Sequence, residues 1–165
     1  MNKLLVSLCI TAGVSVTAAT AEIAPTDVMG DWAPPGGDSI ISIADCGDGT
    51  PCGKISWLAS DPNGEFIDEE NADPELRNRP LVGMVMLQKF KKHSSGWRRG
   101  EIYDPGSGKT YRAKISRASK DTLEVKGCVG PFCQSQNWSL AADDMVTPAA
   151  VTDTQDSQNT QDSQE

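Results

Sequence analysis

Histidine is nearly absent from this sequence, since His93 is the only one among 165 residues. A Ser-His-Asp or Cys-His catalytic site would have to use His93, which stands among lysines on a turn with no orienting acid beside it. Zinc is also disfavoured, because the cysteines lack C-x-x-C spacing and only His93 could add a nitrogen ligand. The sequence therefore predicts no catalytic residue, no metal site and no cofactor.

Long apolar stretches are missing after the first residues of the chain. Met1-Asn2-Lys3, the apolar run 4–16 and the A-x-A sequence at 19–21 are typical of a secretory signal, with cleavage expected between Ala21 and Glu22. The apolar run is too short to span a bilayer stably. These features predict an exported protein, periplasmic or secreted, that does not span the membrane.

A complete phosphate-binding motif is missing as well. Gly106-Ser107-Gly108-Lys109-Thr110 resembles the end of a P-loop, but Tyr103 occupies the position of the first glycine. The residues that follow alternate with period two, as in a strand, whereas a P-loop requires a helix. The segment "DPGSG" is therefore predicted to be a hairpin turn.

Four cysteines remain when the signal, with Cys9, is removed. An even number in an exported protein favours two disulfides. Three pairings are possible. The local ones are preferred, because each pair brackets a Gly/Pro turn, "CGDGTPC" or "CVGPFC". The expected pairs are Cys46 with Cys52 and Cys128 with Cys133.

The chain shows strand signals and almost no helical period. Seven candidate strands are separated by turn signals, at residues 39–44, 53–58, 83–90, 96–103, 110–116, 122–126 and 134–140. Antiparallel neighbours joined by short turns form a meander, which tends to close because closure removes exposed edges. We therefore predict an all-β fold, a small antiparallel up-and-down β-barrel of about seven or eight strands with one long loop. An open sandwich is the alternative.

Composition divides the chain into three parts. Residues 1–21 are the predicted signal peptide and residues 22–142 the barrel domain. Residues 143–165 are rich in Asp, Gln, Ser and Thr and are expected to be a disordered tail, because they hold little that could be buried.

The loop at residues 60–82 is longer than compact domains usually carry. Arg79 could capture a carboxylate or phosphate. An internal ion pair with Asp68, Asp73 or Asp104 is the alternative. A calcium loop is disfavoured, because Phe66 and Ala72 occupy positions that need Gly and Glu.

Charge is unevenly distributed, with an acidic stretch at 61–75 and a basic hairpin, "KFKKHSSGWRR", at 89–99. The hairpin could touch lipid headgroups or anionic sugars. A solvated tip that discourages edge pairing is the alternative. Nucleic acid is not expected as a partner, because the net charge of the chain is -8.

Several sequence blocks occur together in one order: "CGKISWL", "DPELRNRPLVG", "GWRRGEIYDPGSGKTY" and "LEVKGCVGPFCQSQNW". In this order they resemble the DUF2147 family of small exported bacterial proteins. Gly30-Asp31-Trp32 is also similar to the G-x-W of lipocalins, in which the Trp closes one end of the barrel. The resemblance implies a lipocalin- or calycin-like barrel in the bacterial envelope and supplies no catalytic residue. Ordinary core packing is the alternative for the tryptophans.

Two functions follow from this reading. The first is binding of a small hydrophobic or amphipathic ligand inside the barrel. Its candidate residues are Trp57, Met84, Met86, Tyr103 and Tyr111, with Arg79 or Arg99 as anchor for an anionic headgroup. The alternative is a solid barrel that contacts an envelope protein or glycan through the 60–82 loop and the 89–99 hairpin. An enzyme is not expected; its remaining route would be a carboxylate pair such as Glu101 with Asp104.

Overall fold

The computed structural model of the protein describes residues 22–142. The predicted signal peptide at 1–21 and the predicted tail at 143–165 lie outside these residues. No helix in the described part has the length and apolar character that a membrane crossing requires.

The described chain contains nine antiparallel strands. They are β1 (Gly30–Ala33), β2 (Ser39–Asp45), β3 (Pro51–Leu58), β4 (Val85–Gln88), β5 (Lys91–His93), β6 (Gly96–Asp104), β7 (Lys109–Ser119), β8 (Thr122–Val129) and β9 (Phe132–Leu140). Between β3 and β4 lies the single helix of the described residues, a 3₁₀ helix at Pro74–Leu76. The candidate strands predicted from the sequence did not include β1 and β5, which have four and three residues.

The strands form one sheet in the order β4-β3-β2-β1-β9-β8-β7-β6-β5. An additional pairing of β4 with β6, through Leu87 with Ile102 and Gln88 with Glu101, closes eight strands into a barrel. β5 pairs only with the first residues of β6 and extends from the barrel as a hairpin. The prediction of an all-β, up-and-down barrel is confirmed.

The alternating strand directions divide the connections between two ends of the barrel. The β1–β2, β3–β4, β6–β7 and β8–β9 connections lie at one end, and residues 22–29 lie at the other. At the end that holds residues 22–29, Trp97 Nε1 donates to the Thr26 carbonyl at 2.9 Å, and the Arg117 amide donates to the Pro25 carbonyl at 2.9 Å. The N-terminal segment therefore closes this end of the barrel.

Trp32 lies fully buried at the closed end. Its Nε1 donates to the Val28 carbonyl at 2.9 Å, and the Arg117 guanidinium stacks 4.6 Å from its ring centroid. The core continues into the barrel from this point, through inward side chains that alternate along each strand. Its members include Ile41, Ile43, Ile55, Leu87, Phe90, Ile115, Leu123 and Trp138.

The four cysteines form the two local pairs. Cys46 and Cys52 lie at disulfide distance across the β2–β3 turn, with Cα atoms 5.1 Å apart. Cys128 and Cys133 do so at the base of the β8–β9 hairpin, with Cα atoms 4.0 Å apart. Each pair therefore holds one turn, and neither ties distant parts of the domain together.

Candidate functional site

A cavity of about 680 Å³ occupies the end of the barrel opposite Trp32. Its walls are apolar side chains from β4, β6, β8 and β9. They are Met86, Ile102, Val125, Val129, Phe132 and Trp138. Val125 and Trp138 also belong to the core, so they form the floor of the cavity. The barrel is thus filled at its closed end and hollow at its open end.

Strand register explains why these side chains converge. Directly opposed residues of an antiparallel pair lie on the same face of the sheet. The pairs Val125 with Gln136 and Gly127 with Gln134 therefore face the interior of the barrel, and Val129 with Phe132 continues this face at the exposed rim.

Gly127 leaves space open at the wall of this cavity. It stands opposite Ala113, so two small residues meet on the interior face. A Cβ at Gly127 would meet only Ile102 Cγ2, at the ordinary contact distance of 3.9 Å. The space beside Gly127 could therefore hold either a larger side chain or a ligand.

The polar groups of the cavity are neutral apart from one carboxylate. Gln136 Oε1 accepts a hydrogen bond from Trp138 Nε1 at 3.2 Å, which leaves its amide nitrogen as a donor near the floor. Asp104 Oδ2 accepts from Ser107 Oγ at 2.6 Å, and Oδ1 from the Gly106 amide at 3.1 Å, within the β6–β7 turn. No lysine or arginine is among the lining residues in the described part of the chain. The cavity therefore suits an apolar body with a neutral polar group.

A buried aspartate anchors the long loop to the barrel beside this cavity. Asp68 is 1% exposed. Its Oδ1 accepts from Tyr103 Oη at 2.6 Å, and its Oδ2 accepts from Asn71 Nδ2 at 2.6 Å. Arg79 donates to the same Oδ2 from Nε at 2.9 Å and from Nη2 at 2.7 Å. Tyr103 belongs to β6, so this network attaches the loop to the wall of the barrel.

The network determines the charge state of Asp68. Burial by itself would raise the pKa of this carboxyl. Hydrogen bonds from Tyr103, Asn71 and Arg79, together with the positive charge of Arg79, outweigh burial and hold the pKa below its ordinary value. The pKa of Tyr103 is raised, first by burial and then by the Asp68 carboxylate that its hydroxyl contacts. The pair is thus an ionised carboxylate facing a neutral phenol.

Gly108 brings the β6–β7 turn against the same loop. Its φ is +65°, and a Cβ at this position would lie 1.7 Å from the Glu70 carbonyl oxygen. Only glycine permits this approach, so the segment that resembled a P-loop is a turn packed on loop backbone. Its glycine is required for packing.

We expect Gly108→Ala to lower the free energy of unfolding by about 2 kcal/mol or more, because the new Cβ clashes with Glu70 and alanine disfavours positive φ. Gly106→Ala, in the same turn, is the matched control. Its Cβ would meet only Asp104 Oδ1, at 3.5 Å. Urea denaturation checks both variants, and equal midpoints would contradict the close contact.

The structure separates the candidate ligand residues into two groups. Met86, Tyr103 and Tyr111 line the cavity. Met84 is buried in the core, and Trp57 lies half-buried opposite Ile40 on the β2–β3 pair. The two proposed anchors also lie elsewhere: Arg79 pairs with Asp68, and Arg99 lines a groove on the outer wall.

Sequence reasoning did not identify Gly127, Phe132, Gln134 and Gln136. Alternation from Phe132 to Trp138 indicates that these positions of β9 share one face, but it does not say that this face borders an open space. The proposed carboxylate pair does not form a facing pair. Glu101 binds Lys89 at 2.9 Å, and three positions along a strand put Glu101 and Asp104 on opposite faces.

Potential metal ligands are not grouped in the part of the chain that the structure describes. No set of three or more His, Cys, Asp or Glu residues among positions 22–142 is arranged to hold an ion. Some acidic residues of the long loop stabilise its own backbone. Asp61, for example, accepts from the backbone amides of Glu65 and Phe66 at 2.7 and 2.9 Å.

Comparison with known proteins gives two similarities. A profile of the family described as "Uncharacterized protein conserved in bacteria (DUF2147)" matches residues 30–139. Among solved structures, the chain is similar to protein HP1028 of the human pathogen Helicobacter pylori, which is described as belonging to the lipocalin family. The two are 20% identical, and their superposition has a TM-score of 0.64. It covers 73% of this chain and 87% of the other. Such low identity shows a shared fold alone. No curated protein matches the chain.

Proposed function

Since the chain belongs to the DUF2147 family of bacterial proteins and folds as a lipocalin-like barrel, we propose that it binds a small hydrophobic or amphipathic ligand in the cavity at the open end. The observation that carries this proposal is the largely apolar cavity, open to solvent, at the open end of the barrel. Its volume of about 680 Å³ falls within the range of pockets that take small molecules, roughly 300–1,000 Å³.

The lining chemistry indicates the class of ligand. Apolar walls favour an acyl chain or a fused ring, since burial contributes about 0.8 kcal/mol per CH₂ group. The amide of Gln136 and the hydroxyl of Tyr111 offer hydrogen bonds to a neutral polar group. The carboxylate of Asp104, with no cation among the lining residues that the structure describes, disfavours an anionic group inside the cavity. The ligand proposed is therefore uncharged or positively charged at its polar end.

The proposed setting is the bacterial envelope. The two local cysteine pairs support export, because disulfides form and persist in oxidising compartments. Binding without catalysis is the simplest role for such a cavity, since the proposed carboxylate pair does not face one substrate position. The cavity at the open end favours ligand binding over the alternative of a solid barrel that contacts an envelope protein or glycan.

Filling the cavity tests the proposal. Gly127→Leu places an isobutyl group on the cavity wall, and its Cβ would meet only Ile102 Cγ2, at 3.9 Å. We expect the affinity for the neutral apolar probe N-phenyl-1-naphthylamine to fall about tenfold or more, which corresponds to about 1.4 kcal/mol. Probe fluorescence measures the binding, and a urea midpoint close to that of the wild type shows that the barrel stays folded.

Asn137→Leu is the matched control. Asn137 is exposed on the outer face of β9, opposite Glu124, so the same side chain is added outside the cavity. This variant should bind the probe as the wild type does. Wild-type protein that neither binds the probe nor carries an apolar molecule on native mass spectrometry would refute the proposed function.

A further inference from the structure

A second concave surface, of about 630 Å³, lies on the outer wall of the barrel, away from the ligand cavity. Six of the chain's 15 lysines and arginines line it. They are Lys91, Lys92, Arg98, Arg99, Arg112 and Lys114. We call this surface the basic groove. No aspartate or glutamate lines the basic groove in the described chain, although the protein as a whole carries a net charge of -8.

Strand geometry concentrates these charges. β5 pairs with β6 so that Lys91 stands opposite Arg98. A register shift between Trp97 and Gly100 inserts one extra residue into β6, and it sets both Arg98 and Arg99 against Lys114 of β7. Arg99 has the positive φ, +58°, that this bulge requires. Three strands thus direct like charges to one place.

Within residues 22–142, these cations have no carboxylate partners. The ion pairs among the described residues are Arg79–Asp68, Lys89–Glu101 and Lys126–Glu124, and none of them involves the basic groove. Neighbouring like charges on paired strands lower stability. Arrangements that oppose folding in this way are typical of functional sites. The charge of the basic groove is therefore available to an external anion.

The β8–β9 hairpin tip adds an apolar element at the edge of the basic groove. Gly130 and Pro131 of the tip line the groove. On either side of them, Val129 is 66% exposed and Phe132 is 80% exposed. The Cys128–Cys133 pair holds the base of the tip, and Arg112 donates to the Gly130 carbonyl. An exposed aromatic residue on a fixed tip, next to cations that pair with no carboxylate in the described chain, matches the boundary between lipid headgroups and acyl chains.

We propose that the basic groove and the β8–β9 tip form one docking surface for an anionic lipid membrane. Phosphate groups of the headgroups occupy the basic groove, and Phe132 with Val129 enter the interfacial layer. The same two residues also line the ligand cavity, so docking brings the mouth of the cavity to the membrane surface. The docking itself does not depend on whether the cavity holds a ligand.

Vesicle binding with charge-matched variants tests this surface. The purified protein is mixed with vesicles of phosphatidylethanolamine and phosphatidylglycerol, or of phosphatidylcholine alone, and the bound fraction is measured by flotation. We expect binding to the anionic vesicles that weakens as salt is raised. The triple variant Lys91→Gln, Lys92→Gln and Lys114→Gln should bind at least tenfold more weakly.

The control removes the same charge elsewhere. Lys54, Lys109 and Lys120 are exposed lysines that do not line the basic groove, and their triple change to Gln should keep the wild-type affinity. Phe132→Ser should also weaken vesicle binding about tenfold. Equal loss in both triple variants, no loss with Phe132→Ser, or binding of soluble tripolyphosphate without vesicle binding would each overturn the proposal. Probe binding in the cavity is measured separately, so failure of one proposal is distinguishable from failure of the other.

Discussion

Replacing Asp68 with Asn is expected to lower the free energy of unfolding by about 3 kcal/mol, because it breaks a buried ion pair by removing one partner. Oδ2 of Asp68 accepts from both Asn71 and Arg79. In the variant, an amide nitrogen at the Oδ2 position would face the donors of Asn71 and Arg79. If the amide oxygen takes that position instead, the amide nitrogen lies at the Oδ1 position and faces the hydroxyl that Tyr103 donates. The side chain of Arg79 is 34% exposed. Water can therefore solvate Arg79 in the variant, which keeps the loss of unfolding free energy at the lower end of the range for broken buried ion pairs.

The pH dependence of this loss identifies the carboxylate as its cause. Asp68 has a pKa below its ordinary value in the folded protein. Its stabilisation is therefore fully present above the unfolded pKa of an aspartate, about 3.9, and is lost as the pH falls through the folded pKa. The stability difference between wild type and Asp68→Asn should be full at neutral pH and should close only in strong acid.

Urea midpoints, followed by tryptophan fluorescence across pH, measure this difference. Asp73→Asn is the control in the same loop. Asp73 is the N-cap of the 3₁₀ helix and accepts from the Glu75 amide at 3.0 Å, at an exposed position. Asparagine caps as well as aspartate does, so this variant should stay within about 0.5 kcal/mol of the wild type. A difference between wild type and Asp68→Asn that persists unchanged at low pH would contradict the role of the ionised carboxylate.

Trp32→Ala is expected to lower the free energy of unfolding by about 4 kcal/mol, more than Asp68→Asn does. Trp32 is 0% exposed, and its removal leaves a cavity at the closed end of the barrel. The Val28 carbonyl also loses its donor and Arg117 loses the ring on which it stacks. Residues 22–29 are attached partly through these contacts, so we expect their amides to lose protection from hydrogen exchange in the same variant.

Two variants separate the causes of this loss. Trp32→Phe keeps most of the buried volume and removes the indole donor, so its cost should be about 1–2 kcal/mol. Trp57→Ala removes the same side chain from a half-buried position, and it should cost clearly less than Trp32→Ala. Equal destabilisation by Trp32→Ala and Trp57→Ala would refute the role assigned to Trp32. Probe binding should survive Trp32→Ala wherever the variant is folded, because Trp32 does not line the cavity.

The long loop illustrates what sequence reasoning can resolve. Arg79 had three possible acidic partners. The structure selects Asp68, because the isolated bridge between Ile67 and Pro80 sets residues 68 and 79 opposite each other. The Asp68 amide then donates to the Arg79 carbonyl at 3.0 Å, which aligns the two side chains. This bridge involves two residues with no strand pattern, so no local signal could have indicated it.

The sequence by itself determined the features that depend on neighbours along the chain. Period-two alternation with Gly and Pro turns predicted the meander, and short Gly/Pro loops predicted the cysteine pairs. Only the tertiary structure decided where the barrel is filled and where it is hollow. Gly127 and Ala113 are distant in sequence, and the β7–β8 register sets these two small residues opposite each other on the interior face. The basic groove likewise needs the bulge in β6 to gather cations from three strands. The volume and charge of a site depend on which residues meet in space, and the pattern along the sequence does not show which distant residues meet.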